Sequence, residues 1–163
     1  MHELYADPEV RDAVRTRWGP DVVTPAGTVD RAAVARHAFA SPAERGWLEG
    51  LLWPRVGARV AAWREVEAAR MPPPRALVVE TPLLFEAGLD RNYDATLAIV
   101  ADEAVRTERA AARGHAAVDE RTARQLSQEE KAARADHVVR NDRDLRALEL
   151  DLAAVLEKLT GPR

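Results

Sequence analysis

A short apolar run ending in a carboxylate, Ala76-Leu77-Val78-Val79-Glu80, is halted at once by Thr81-Pro82. A residue before proline is pushed out of the helical region, and proline donates no ladder hydrogen bond. The run therefore reads as a buried strand that releases Glu80 at its carboxyl end. Ligands of open α/β sheets bind beyond such ends, so Glu80 is a candidate for holding a metal, a hydroxyl or a base. A solvated strand end is the plain alternative.

Arg106, Arg109 and Arg113 stand at i, i+3 and i+7 of the helix expected after the next strand, and so project from one face. Like charges at that spacing repel by roughly 0.2–0.5 kcal/mol per pair, which an anion between them would relieve. Glu103 and Glu108 offer an internal remedy, and the last turn of a helix welcomes cations in any case. Arg121, Arg124 and Gln125, further along, pose the same question.

Other chemistries find little support. The four histidines (His2, His37, His115, His137) show neither the i, i+4 pairing of a helical zinc site nor a third ligand at useful spacing, so no direct metal ligand is assigned. There is no cysteine, hence no disulfide framework, thiolate nucleophile or Cys-based zinc site, which fits a reducing cytoplasm. The net charge of −3 gives no global reason to expect nucleic-acid binding. No apolar run approaches membrane-spanning length. Of the 24 basic residues only Lys131 and Lys158 are lysines, a bias that discounts any single arginine as evidence of phosphate chemistry. The sequence also contains no G-x-x-x-x-G-K-[ST], the turn whose amides, Lys and hydroxyl hold nucleotide phosphates and magnesium in α/β kinases.

The elements that must position these residues begin with helices. Asp7-Pro8-Glu9 opens one that Val10, Val14 and Trp18 continue until Gly19-Pro20. Asp30-Arg31 starts a second, through Phe39. Ser41-Pro42-Ala43-Glu44 is a capping box launching the longest segment, to about Arg70, with Trp47, Leu48, Leu51 and Leu52 on its apolar face and Val56, Val60 and Trp63 beyond. Pro54 is expected to kink or split it. Pro72-Pro73-Pro74 is a stiff connector into strand 76–80.

Ala95 to Val100 reads as a second buried strand, and Asp102 as the cap of a helix to about Arg113. Gly114 ends that helix, and a connector and a short helix from Asp119 to Leu126 follow. Ser127-Gln128-Glu129-Glu130 is a second capping box, opening a helix through Ala135. His137 to Val139 reads as a third strand with Asn141 in the turn after it, and Leu145 to Leu159 as an amphipathic closing helix packed on the sheet. At 163 residues this is one α/β domain: a parallel sheet flanked by helices, with a helical section at the front.

Gathered in order, these residues resemble the dephospho-CoA kinase family over nearly the whole chain. The resemblance runs through His2-Glu3-Leu4-Tyr5, Trp18-Gly19, Gly27-Thr28-Val29-Asp30-Arg31 with Phe39, and Leu48-Glu49 with Pro54. Its most specific segment is Pro82-Leu83-Leu84-Phe85-Glu86 after a strand. Arg109, Arg113, Gln125 and Ala135-Asp136 with Asn141 close it.

The resemblance implies an enzyme that transfers the γ-phosphoryl of ATP, with Mg2+, to the ribose 3′-hydroxyl of dephospho-CoA, giving coenzyme A. It implies a P-loop kinase core, a helical substrate-binding section (residues 1–70) and an α/β core (71–163) with a lid at about 105–135. Carried over, Arg109 and Arg113 stabilise charge on the moving phosphoryl group, and Glu80 reaches a magnesium-bound water or the acceptor. Pro82, Leu83, Leu84, Phe85, Glu86, Asp30 and Arg31 bind substrate, and Asn141 and Gln125 face the nucleotide. The partners are then the small molecules ATP and dephospho-CoA, without nucleic acid or membrane.

Three departures stand out. The family usually has Asp where this chain has Glu80, and often His-Pro where it has Trp53-Pro54. Its amino-terminal strand, P-loop, first helix and the following strand with its aspartate, which the resemblance implies carry the catalytic base and the magnesium-binding hydroxyl, have no counterpart in these 163 residues. We therefore expect a shortened form, from a start assigned to an internal methionine or as one piece of a split enzyme. It would need the missing segment or a partner chain, be poorly folded or rearranged alone, and have no kinase activity. Because the family's first strand is central, a gap is expected between strands 76–80 and 95–100. Competing readings are a non-catalytic module binding nucleotide or CoA precursor, and a helical interaction protein anchored by Trp47, Trp53 and Trp63.

Overall fold

In a computed structural model, which describes residues 2–112 and 125–161, the chain divides into two compact units, residues 1–74 and 75–163. The boundary falls at the end of the proline triplet.

The first unit is helical. Helix α1 (Pro8–Trp18) starts where Asp7 accepts the Glu9 amide at 2.9 Å, and ends at Gly19, whose φ of 96° suits a residue without a Cβ. Helix α2 (Arg31–Phe39) is capped by Asp30, which accepts from the amides of Ala32 and Ala33. Helix α3 (Pro42–Ala68) starts at Ser41, whose hydroxyl accepts the Glu44 amide. The expected return bond of a capping box is not made there, because the Glu44 carboxylate is taken by Arg17 (2.7 and 3.1 Å) and by the Trp18 indole N–H (2.6 Å).

Val14, Val22, Ala33 and Val34 form one core cluster and Leu4, Val10 and Leu52 another, with Leu48 and Leu51 packed against both. Trp47 packs on the first cluster and meets Trp18 edge to face, whereas Trp53 and Trp63 stand more exposed. Of the kink or split expected at Pro54, the split does not occur: α3 runs through it for 27 residues. Leu51 and Leu52 before the proline and Val56 after it pack on the same cluster, and that shared burial holds the helix across the lost hydrogen bond.

The second unit contains a two-stranded parallel sheet, β1 (Leu97–Val100) on β2 (His137–Arg140), with Ala98 opposite Val138 and Ile99 opposite Val139. Helices α4 (Glu103–Ala112) and α5 (Gln128–Arg134) lie between the strands in sequence, and α6 (Leu145–Thr160) follows β2. The register starts at a polar lock. Both the amide and the hydroxyl of Thr96 donate to Asp136 Oδ2 (2.8 and 2.7 Å), and the Asp136 amide donates back to Thr96 Oγ1.

Residues 76–80 make no ladder among the described residues, contrary to the expected strand, and Val78 is 82% exposed. An apolar run becomes a strand only when a neighbour takes its amides and carbonyls. Nor is 95–100 buried on both faces. Ala98, Val100 and Val139 are covered, through contacts of α5 with β1 and α6 with β2, while Leu97, Ile99 and Val138 remain exposed. The short helix expected from Asp119 lies largely outside the described residues.

Candidate functional site

The carboxyl ends of β1 and β2 carry a web of side-chain to backbone bonds. Asn141 donates its amide to the Val100 carbonyl at 2.7 Å, carrying the parallel pairing one residue past β2. Arg109, on α4, donates to the carbonyls of Asn141 (2.6 Å) and Arg143 (2.9 Å), so its planar fork spans the turn that follows β2. The side-chain amide of Gln128 clasps Ala101 from both sides, accepting its N–H and donating to its carbonyl, each at 2.9 Å.

Asp102 does not cap α4 with its side chain. Its carboxylate pairs with Arg140, and its amide donates to Asp142 Oδ1 at 2.6 Å. Arg140 also bonds Asp142 at 3.0 Å. That amide, with the neighbouring guanidinium, holds the Asp142 carboxyl below the usual carboxylate range, and Arg140 is raised in return. A cleft of about 230 Å³ opens between Ala101 to Glu103, Gln128 and the Val138 to Arg140 stretch. A larger open groove of about 500 Å³ runs between β2 and α6 but is lined by none of the residues expected to act on substrate.

A second cluster surrounds the turn at residues 82–88. Leu83 to Leu89 close on themselves through backbone bonds (Ala87 to Leu83, Gly88 to Phe85, Leu89 to Leu84), and Gly88 takes a φ of 63°. The Glu86 carboxylate points inward, accepting the Leu126 amide at 2.8 Å with Lys131 Nζ at 3.3 Å. Lys131 also donates to the Pro82 carbonyl at 3.1 Å and to Gln125 Oε1 at 3.2 Å. Burial pushes the Glu86 carboxyl up, but backbone amides, Leu126 among them, and Lys131 outweigh it, so the group sits below its usual range.

The residues expected from sequence therefore fall into groups. Arg109 and Asn141, read as lid and nucleotide contacts, are joined directly. Pro82, Glu86 and Gln125 meet at Lys131. Leu83, Leu84 and Phe85 are half-buried in the same turn, and Glu80 is exposed ahead of it. Asp30 and Arg31 belong to the first unit, one as the cap of α2 and the other exposed at its first position. Arg113 lies outside the described residues.

Lys131, Gln128, Arg140 and Asp142 were not anticipated. The rarity of lysine was the one available signal for Lys131, and Gln128 was masked by its place in a capping box.

Against this geometry the comparisons with known proteins are direct. A model of the dephospho-CoA kinase family matches residues 4–147. The chain belongs to the dephospho-CoA kinase family. The matched span contains every residue singled out above as a site candidate.

A dephospho-CoA kinase of Deinococcus radiodurans is 44% identical over 143 residues, covering 86% of this chain and 68% of the relative. One of Symbiobacterium thermophilum is 38% identical over 142 residues, covering 85% and 58%. The chain thus spans between about three-fifths and two-thirds of the length of these two relatives. Among solved structures, TT1252 from Thermus thermophilus superposes with a TM-score of 0.66 at 32% identity, covering 94% of this chain and 82% of that one. The fold class is α/β, of the P-loop kinase type, with a parallel sheet flanked by helices. No described helix is long and apolar enough to cross a membrane.

Proposed function

We propose that this chain forms the acceptor and lid side of an ATP-dependent kinase that phosphorylates the ribose 3′-hydroxyl of dephospho-CoA. The observation that carries the reading is the family match over residues 4–147, which takes in the Pro82-Leu83-Leu84-Phe85 turn and the Arg109–Asn141 pair together. Pro82 to Phe85 face the acceptor, with Asp30 and Arg31 as further substrate contacts. Asn141, its turn held by Arg109, and Gln125 face the nucleotide. Arg113 offers positive charge to the moving phosphoryl group, and Arg109 adds to the same field from α4. Phosphoryl transfer is dominated by positioning and charge neutralisation, which is work that side chains of this kind perform.

Among the described residues there is no group of three or more metal-ligating side chains. Mg2+ keeps several waters and binds through one or two carboxylates together with substrate phosphates, so a lone exposed Glu80 suits that duty. When bound, the ion neutralises phosphate charge.

The phosphate-holding loop itself is supplied from outside these 163 residues, by a continuous segment or a partner chain. Exposed apolar surface on one face of β1 (Leu97, Ile99), together with the unpaired run 76–80, supports that reading, since a parallel sheet is stable when both faces are covered.

The 163-residue chain is expected to give no coenzyme A from ATP plus dephospho-CoA, and no heat on calorimetric titration with dephospho-CoA. Supplying a phosphate-loop segment should restore turnover. Turnover by the chain alone would refute the division of labour. Binding without turnover would favour a non-catalytic module instead.

A further inference from the structure

We propose that Glu86 and Lys131 are a positioning pair that fixes the acceptor-facing turn to α5, and that Glu86 is not itself an acceptor contact. The inference rests on reading Pro82 to Phe85 as the acceptor wall and assigns Glu86 a different duty from its neighbours. Its side chain is 14% exposed, Oε1 is engaged by the Leu126 amide and Lys131, and Oε2 is buried without a partner. With Oε1 engaged and Oε2 closed off from solvent, Glu86 is better placed to hold the turn than to meet a sugar hydroxyl.

The pair reaches both ends of the turn. Lys131 donates to the Pro82 carbonyl where the turn begins and to Gln125 Oε1, and its ammonium forms an ion pair with Glu86 near the turn's end at 3.3 Å. Glu86 in turn takes the amide of Leu126, two residues before α5. The turn's internal bonds are three backbone contacts of 2.9 to 3.2 Å, enough to shape it but not to place it. Placement comes from the charged pair, whose hydrogen bonds to Pro82 and from Leu126 are charge-assisted and so the stronger kind.

The test is amide hydrogen exchange and proton–nitrogen correlation spectra on the full chain without ligand. Glu86→Gln and Lys131→Met should each accelerate exchange about tenfold or more at Leu126, Ala87, Gly88 and Leu89 together, the range expected for losing a charge-assisted hydrogen bond. Val139 in the sheet should be unchanged. In Glu86→Gln the Leu126 amide proton should also move upfield, since a neutral acceptor replaces a charged one.

Acceleration at Leu126 alone, with the turn amides unmoved, or a silent Lys131→Met, would overturn the proposal. Should Glu86→Gln fail to fold, Lys131→Met decides by the same four amides. No readout here needs a ligand. Failure to bind dephospho-CoA even after a phosphate-loop segment has been supplied would therefore remove the acceptor reading and leave the pair standing, whereas silent amides would do the reverse.

Discussion

Arg109 has a structural duty that its place in an arginine stripe did not announce. Its spacing with Arg106 and Arg113 suggested a phosphate-facing stripe, yet two of its nitrogens hold the carbonyls of Asn141 and Arg143. Truncation in Arg109→Ala leaves those carbonyls without that cation and should destabilise the second unit by about 1–2 kcal/mol, read as a lower urea midpoint at unchanged slope. Arg109→Lys should recover little of this, because a point-like ammonium does not span two carbonyls as a fork does. An unchanged midpoint in Arg109→Ala would mean that the turn after β2 holds itself.

At the level of elements, the two strands are aligned by the Thr96–Asp136 lock rather than by their apolar residues alone. Bonds from the Thr96 hydroxyl and amide keep the Asp136 carboxyl below its usual value. A depressed carboxylate contributes stability above its unfolded pKa, and that contribution disappears as pH falls through the folded pKa. The second unit should therefore lose stability below about pH 4, near the unfolded Asp value. In Asp136→Asn this acid limb should flatten, which urea midpoints measured between pH 5 and pH 3 would show.

Helix α3 makes the opposite point. Pro54 is exposed in an unbroken helix, so Pro54→Ala regains a backbone hydrogen bond and should stabilise the first unit by about 1–3 kcal/mol. The gain would appear as a higher melting temperature, and a fall would show that the proline suits a local bend.

For the molecule as a whole, the uncovered apolar surface of the second unit matters most. Leu97 (38% exposed), Ile99 (52%) and Val138 (45%) belong to a parallel sheet of two short strands, a size that rarely stands alone in water. Exposed strand edges recruit other chains. The chain by itself should bind a hydrophobic dye and associate with rising concentration in sedimentation. Ile99→Thr should reduce both without changing helix content, and a dye-silent, strictly monomeric chain would contradict this.

The sequence by itself fixed what depends on neighbours along the chain. Asp7, Asp30, Ser41 and Ser127 start helices because a cap is a contact within three residues, and Gly19 ends one for the same local reason. Family membership was legible too, because ordered short motifs survive in the linear text. Pairing and burial were not legible. Whether 76–80 becomes a strand depends on a neighbour that the run does not specify, and whether 97–100 is covered on both faces depends on what packs there. The Glu86–Lys131 and Arg109–Asn141 contacts join residues 45 and 32 apart in number, and nothing local in either partner names the other. Such contacts are decided by tertiary folding, where chain entropy has already been spent in bringing distant segments together.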